Sequence, residues 1–217
     1  MNTRLTLVRH GHTEWNSLGR YQGHAPIPLS EIGRAQAGYL ATALAKAAPI
    51  AALYSSDLLR CCQTAGPIAA ALGLEVQLDP RFREIDYGTW QGLTRGEVVE
   101  LDPQNYAAYI ADPMKVSIPG GESQQMLAAR VLAGLGEVLA AHAGEHVCIV
   151  THGGPIREIL RRFDLWSGGM PAGNASLTEL RVVDETGTAE LLRLMDTSHL
   201  PPNLRPDGQG TCFISQE

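Results

Sequence analysis

Two short apolar runs, Leu5 to Val8 and Val147 to Thr151, each lead into a histidine that is followed by glycine: Arg9-His10-Gly11 after the first, His152-Gly153-Gly154 after the second. Runs of this length suit strands buried on both faces of a sheet. The exits of such strands open onto loops, which is where α/β sheets place their ligands. One histidine at such an exit is more often an ordinary loop residue than a catalytic one. Two at matching exits point to a shared site. Arg9 adds a planar fork of donors suited to phosphate oxygens, and Gly11 would let backbone approach a ligand with no Cβ in the way.

The rest of the chain alternates strand and helix signals. After an irregular loop containing Tyr21-Gln22-Gly23, Ser30 is placed to cap a helix running to about Lys46. Ile50 to Tyr54 reads as a strand, and Ser55-Ser56-Asp57 as the cap of a helix to about Leu72 that Gly66-Pro67 should kink. Val76-Gln77-Leu78 is a short strand. From Gly92 to Gly121, Pro103, Pro113 and Pro119 break up short helical pieces, a pattern read as a lid lined by Tyr106, Tyr109, Met114 and Ile118. Ser123 then opens a helix with Leu127, Val131, Leu135 and Val138 on one stripe. Pro155 suits the first turn of a helix through Arg162. Leu177 to Val183 and Ala189 to Met195 form a hairpin around Asp184-Glu185-Thr186-Gly187.

This order predicts an α/β fold: a three-layer α/β/α sandwich with a mostly parallel sheet, an antiparallel edge hairpin and a helical lid insertion at about 93–120. The expected organisation is one domain over residues 1–217, with a loose tail from about 200. A chain of 217 residues can bury roughly 70% of its unfolded surface. The net charge of −6 argues against nucleic acid or an anionic membrane as partner, so an anionic ligand needs a local cluster of cations. Cys61, Cys62, Cys148 and Cys212 show no C-x-x-C spacing and read as reduced packing residues. A first strand starting by Leu5 leaves no room for a leader, and no apolar run reaches a membrane span. A soluble cytoplasmic protein is expected, with a homodimer left open.

The motifs Leu7-Val8-Arg9-His10-Gly11, Thr13-x-Trp15-Asn16, Ser55-Ser56-Asp57-Leu58-x-Arg60-x-x-Gln63-Thr64-Ala65, Glu84-x-x-x-Gly88-x-Trp90-x-Gly92, Gly120-Gly121-Glu122-Ser123 and Thr151-His152-Gly153-Gly154 occur in this order. On that set the chain resembles the histidine phosphatase superfamily, in its phosphoglycerate-mutase-like branch, over about residues 5 to 200. The resemblance implies that His10 is a nucleophile that becomes phosphohistidine, with Arg9, Arg60 and His152 gripping the phosphoryl oxygens. It implies further phosphate or substrate contacts from Asn16, Gln22, Gly23 and Gly153, and a proton donor in Glu84. Such roles suit phosphoryl transfer, which needs an in-line nucleophile and positive charge around the equatorial oxygens. Two arginines and an imidazolium would supply that charge with no metal and no cofactor. Asp86 is the rival for the acid, and His10-x-His12 with His24 is the rival metal reading. Trp90 could line the pocket, whereas His142 and His146 read as surface residues. The family often has Glu or Gln where this chain has His12, and an acid where it has Pro26.

The expected reaction is hydrolysis of a small phosphorylated metabolite. The alternative is a cofactor-dependent phosphoglycerate mutase, which must hold a doubly anionic intermediate under a cationic lid. Between Gly96 and Gly120 this chain has Lys115 against Glu97, Glu100, Asp102 and Asp112. A non-catalytic binding module is the third reading, disfavoured because His10 and Glu84 are both present.

Overall fold

The computed structural model describes residues 2–166, 168, 173–183 and 187–205. The hairpin turn at 184–186, Cys212 and the tail from 206 lie outside the described residues.

In chain order the elements are β1 (Thr3–Arg9), the one-turn helix α1 (Glu14–Ser17), α2 (Glu31–Ala45), β2 (Ala52–Ser55), α3 (Leu59–Leu72), β3 (Val76–Leu78), α4 (Arg95–Leu101), α5 (Pro103–Ala111), α6 (Gln124–Ala141), β4 (His146–Thr151), α7 (Gly153–Arg162), β5 (Leu177–Val182) and β6 (Ala189–Asp196). The strands form one sheet in the order β3-β2-β4-β1-β5-β6. β3, β2, β4 and β1 run parallel, and the β5-β6 hairpin adds antiparallel at the edge.

Strand alternation sends successive side chains to opposite faces, and each face has its own core. Leu5 and Leu7 of β1 with Val147 and Ile149 of β4 pack against Leu127, Val131 and Leu135 of α6 and Ile156 and Ile159 of α7. Val8, Cys148 and Val150 face the other way, onto Leu40 and Leu44 of α2 and Cys61 and Ile68 of α3. Helices on both faces of a largely parallel sheet make the three-layer sandwich. No helix among the described residues is long and apolar enough to cross a membrane.

Ser30 and Ser123 cap α2 and α6 as expected, accepting from Gly33 N and Met126 N. The start of α3 differs. Its N-cap is Leu58, with no side-chain cap, because Asp57 is taken by Arg83 at 2.6 Å and Ser56 by His152 at 2.9 Å. Pro67 lies inside α3 without dividing it, and Pro103 begins α5. Gly11 serves packing: a Cβ there would come within 2.6 Å of Gly33 O, so the loop after β1 presses onto the start of α2. The expected close approach of Gly11 to a ligand is therefore replaced by an approach to a helix.

Candidate active site

β1 and β4 are parallel neighbours with Arg9 opposite Thr151, so His10 and His152 leave the sheet side by side. Their ring centroids are 5.1 Å apart. The topology reverses here: the chain crosses from β1 over β4 to β2, and from β4 over β1 to β5. Such a switch point is where open α/β sheets take ligands.

Arg9, His10, Asn16, Gln22, Gly23, Arg60 and Glu84 line one cleft, joined by Arg20, Tyr21 and Tyr87. The last three were missed from sequence, although Arg20 and Tyr21 adjoin the Gln22-Gly23 pair. His152 and Gly153 are not on the cleft wall. His152 is fully buried behind His10, and Gly153 begins α7, where a Cβ would lie 3.9 Å from Arg9 Nε.

His10 is 3% exposed, and its Nδ1 lies 2.8 Å from Gly11 O. A carbonyl oxygen only accepts, so Nδ1 carries the proton and Nε2 keeps its lone pair. Burial, reinforced by Arg60 and Arg9, holds the His10 pKa well below the ordinary histidine range. The resting imidazole is a neutral base. Asn16 accepts at its amide oxygen from Thr13 N at 3.0 Å and Asn174 Nδ2 at 3.2 Å. What it has left for the cleft is its amide N–H.

Arg60, from the first turn of α3, is 1% exposed. Nη2 donates to Gly23 O at 2.7 Å and Nη1 to Ala25 O at 3.1 Å. Nε has no hydrogen-bond partner among the described residues. Among the described residues this buried guanidinium is hydrogen-bonded to carbonyls and to no carboxylate, so a dianion entering the cleft would be its first direct counter-charge.

Glu84 reaches the cleft from the loop after β3. Its Oε1 accepts from Ile85 N at 2.9 Å, and its Oε2 from Gly154 N, at the start of α7, at 3.2 Å. A Cβ at 154 would come within 2.1 Å of Glu84 Oε1, so any larger residue there would push the carboxyl out of this position. Asp86 is not on the cleft wall: its Oδ1 accepts from Gly88 N at 2.9 Å. Trp90 is likewise buried in the core, donating Nε1–H to Asp102 Oδ2 at 2.8 Å. Among the described residues no three His, Cys, Asp or Glu side chains are grouped to hold a metal. His12 turns both ring nitrogens to Ser30 Oγ and Ser17 Oγ, at 2.7 and 2.8 Å.

A model of the histidine phosphatase superfamily (branch 1) matches residues 5–195. The chain belongs to that superfamily. Phosphoserine phosphatase 1 of Hydrogenobacter thermophilus is 38% identical over 203 residues, covering 91% of this chain and 94% of that protein. The metal-independent phosphoserine phosphatase of Arabidopsis thaliana is 38% identical over 200 residues, covering 91% and 83%. A mycobacterial glucosyl-3-phosphoglycerate phosphatase solved with inorganic phosphate matches with a TM-score of 0.77 at 33% identity, covering 91% of this chain and 99% of that one.

Four expectations about this histidine phosphatase need correction. Burial first, then Arg60 and His10, push the His152 pKa well below the ordinary value, so it rests as a neutral imidazole rather than the expected imidazolium. The insertion at 93–120 contributes no residue to the cleft wall. Tyr109 and Ile118 are buried in the core beside Trp90, Tyr106 packs against them, and Met114 is exposed. His146 is buried against Thr6 Oγ1 at 2.8 Å. His142 is mostly covered and bonds Tyr54 Oη at 3.0 Å and Glu145 at 2.7 Å.

The two buried histidines give a stability prediction. Their pKa values are depressed in the folded protein, so below about pH 6.5 the unfolded chain binds more protons than the folded one, and stability falls as pH drops. His12, His146 and His199 are shifted in the same direction. Each fully shifted histidine costs about 1.4 kcal/mol per pH unit in this window. Thermal melting should therefore weaken between pH 7 and 5.5, above the range where carboxylates titrate. Inorganic phosphate, which favours charged imidazoles beside it, should reduce the slope. A flat melting temperature across that interval would contradict the neutral His10–His152 pair.

Proposed function

We propose that the protein hydrolyses phosphomonoesters of small metabolites through a phosphohistidine at His10, without a metal. The observation that carries this reading is the neutral His10 imidazole, its Nε2 lone pair free, in a cleft shared with the buried guanidinium of Arg60. In the first step Nε2 bonds to phosphorus as the ester P–O bond breaks, and Glu84 gives its proton to the departing alkoxide. In the second, water attacks phosphorus, Glu84 takes the water's proton, and the P–N bond breaks to release phosphate and free His10. Arg9, Arg60 and the amide of Asn16 are the donors to the phosphoryl oxygens, and His152, packed behind His10, backs the nucleophile's ring.

The relatives named phosphoserine phosphatases make a phosphorylated amino acid the first substrate to test. Arg20 supports it: this third cation on the cleft wall uses only Nη1 among the described residues, on Gly92 O and Glu97, which leaves donors for a carboxylate. The mutase alternative is weakened by the insertion. Lys115 pairs with Asp112 at 3.8 Å, and Arg95 lies over the Tyr106 ring at 5.9 Å. Charge-assisted bonds to a trapped dianion would be worth roughly 1.5–3 kcal/mol each, and the insertion supplies none to the cleft.

Incubation with O-phosphoserine, 3-phosphoglycerate and 2,3-bisphosphoglycerate, with and without exhaustive chelation, tests both parts. Inorganic phosphate should appear from phosphoserine and persist under chelation, with little 2-phosphoglycerate formed. Isomerisation faster than phosphate release would overturn hydrolysis as the main reaction. Activity lost on chelation and restored by zinc or magnesium would overturn the metal-free mechanism.

A further inference from the structure

The loop 23–25 and the loop that carries Glu84 come from distant parts of the chain, and His24 joins them. We infer that His24 is a positioning residue that sets the proton donor relative to the phosphate clamp; this rests on the hydrolytic reading of the cleft. Its backbone lies between the two carbonyls that seat Arg60, Gly23 O and Ala25 O, and its N–H donates to Gln91 Oε1 at 2.6 Å. Its side chain reaches the other way. Nε2 lies 2.8 Å from the backbone oxygen of Glu84, and since that oxygen only accepts, Nε2 carries a proton. Nδ1 faces Asp86 Oδ2 at 3.6 Å, so the imidazole is flanked by the Glu84 carbonyl and the Asp86 carboxylate.

The Glu84 loop has a second anchor, which separates its folding from its placement. Arg130 of α6 spends all five guanidinium donors there: Nη1 on Arg81 O and Arg83 O at 2.8 and 2.7 Å, Nη2 on Glu84 O at 2.7 Å, and Nε and Nη2 on Glu122 at 2.8 Å. Glu122 in turn accepts from Asp86 N at 2.9 Å. Arg130 thus fixes the loop to α6. His24 fixes the loop to the seat of Arg60. Without the imidazole both seats persist, but nothing as direct ties the carboxyl to the guanidinium that holds the phosphoryl group. An error of about 1 Å in such a placement can cost 10²-fold in rate, and it falls on the step that needs the proton.

The readout is the ratio of kcat/KM for O-phosphoserine to kcat/KM for p-nitrophenyl phosphate. Both quantities stop at leaving-group departure, and only the alkoxide needs protonation. In His24→Ala the ratio should fall about tenfold, with the melting temperature near that of the wild type. His24→Gln, whose amide N–H reaches the same distance, should recover most of the ratio. His24→Met, which fills the space without a donor, makes the same comparison should the alanine variant not fold. A ratio unchanged in the donor-less variants, or lowered equally in His24→Gln, would overturn the inference. A wild type that hydrolyses neither ester would instead overturn the hydrolytic reading itself.

Discussion

His10→Ala is expected to lose about 10⁴-fold or more of turnover and to form no phosphoenzyme, because the cluster around it can bind a phosphoryl group but cannot replace the nucleophile. The wild type, quenched in mid-reaction with a labelled phosphomonoester, should carry label that is acid-labile and base-stable, as a phosphoramidate is. Removing a neutral buried ring leaves Arg9 and Arg60 in place, so the variant should still gain thermal stability from inorganic phosphate. That control separates a lost nucleophile from a lost site. Label persisting in His10→Ala, or mapped to serine or aspartate, would sink the assignment.

The fold was legible because its signals are local and repeated. Leu5–Val8 and Val147–Thr151 read as buried strands and are the two central parallel strands; Ser30 and Ser123 read as caps and are caps. The errors fall where tertiary partners outbid local ones. Ser55-Ser56-Asp57 has every property of a helix cap, yet Ser56 and Asp57 are drawn to His152 and Arg83. Local rules are expected to fail near a functional site for this reason. His146 looked like a surface residue because nothing in its neighbourhood along the chain shows that Thr6 comes within 2.8 Å of it.

The cleft was legible to the extent that its residues sit in short motifs at strand exits and helix starts. Its protonation was not. Whether His152 is an imidazolium depends on how deeply it is buried and how many guanidinium groups stand near it, and both follow from packing. The contents of the insertion were misread for a related reason. Tyr106, Tyr109 and Ile118 are apolar on a segment broken by prolines, which suits a pocket lining or a core equally well. Trp90 decides it, because its ring meets Tyr109 edge-on at 5.5 Å and Tyr106 at 5.8 Å.

Glu84→Gln is the substitution that most directly tests the division of labour in the cleft. The amide keeps the size of the carboxyl and can still accept one of the two backbone N–H bonds, from Ile85 or Gly154, so the fold should tolerate it. It has no proton to give an alkoxide. General acid catalysis contributes about 10² to 10⁴-fold, so kcat/KM for O-phosphoserine should fall by that much. The loss for p-nitrophenyl phosphate should be small, because its phenolate leaves unaided. Hydrolysis of the phosphohistidine needs a base, so the variant should accumulate phosphoenzyme from the aryl ester when quenched in the steady state. Equal losses of kcat/KM on both esters would reduce Glu84 to a positioning role. A larger loss from Asp86→Asn would move the acid to a carboxylate that now faces His24 and Gly88 N, and would require the Glu84 loop to rearrange when substrate binds.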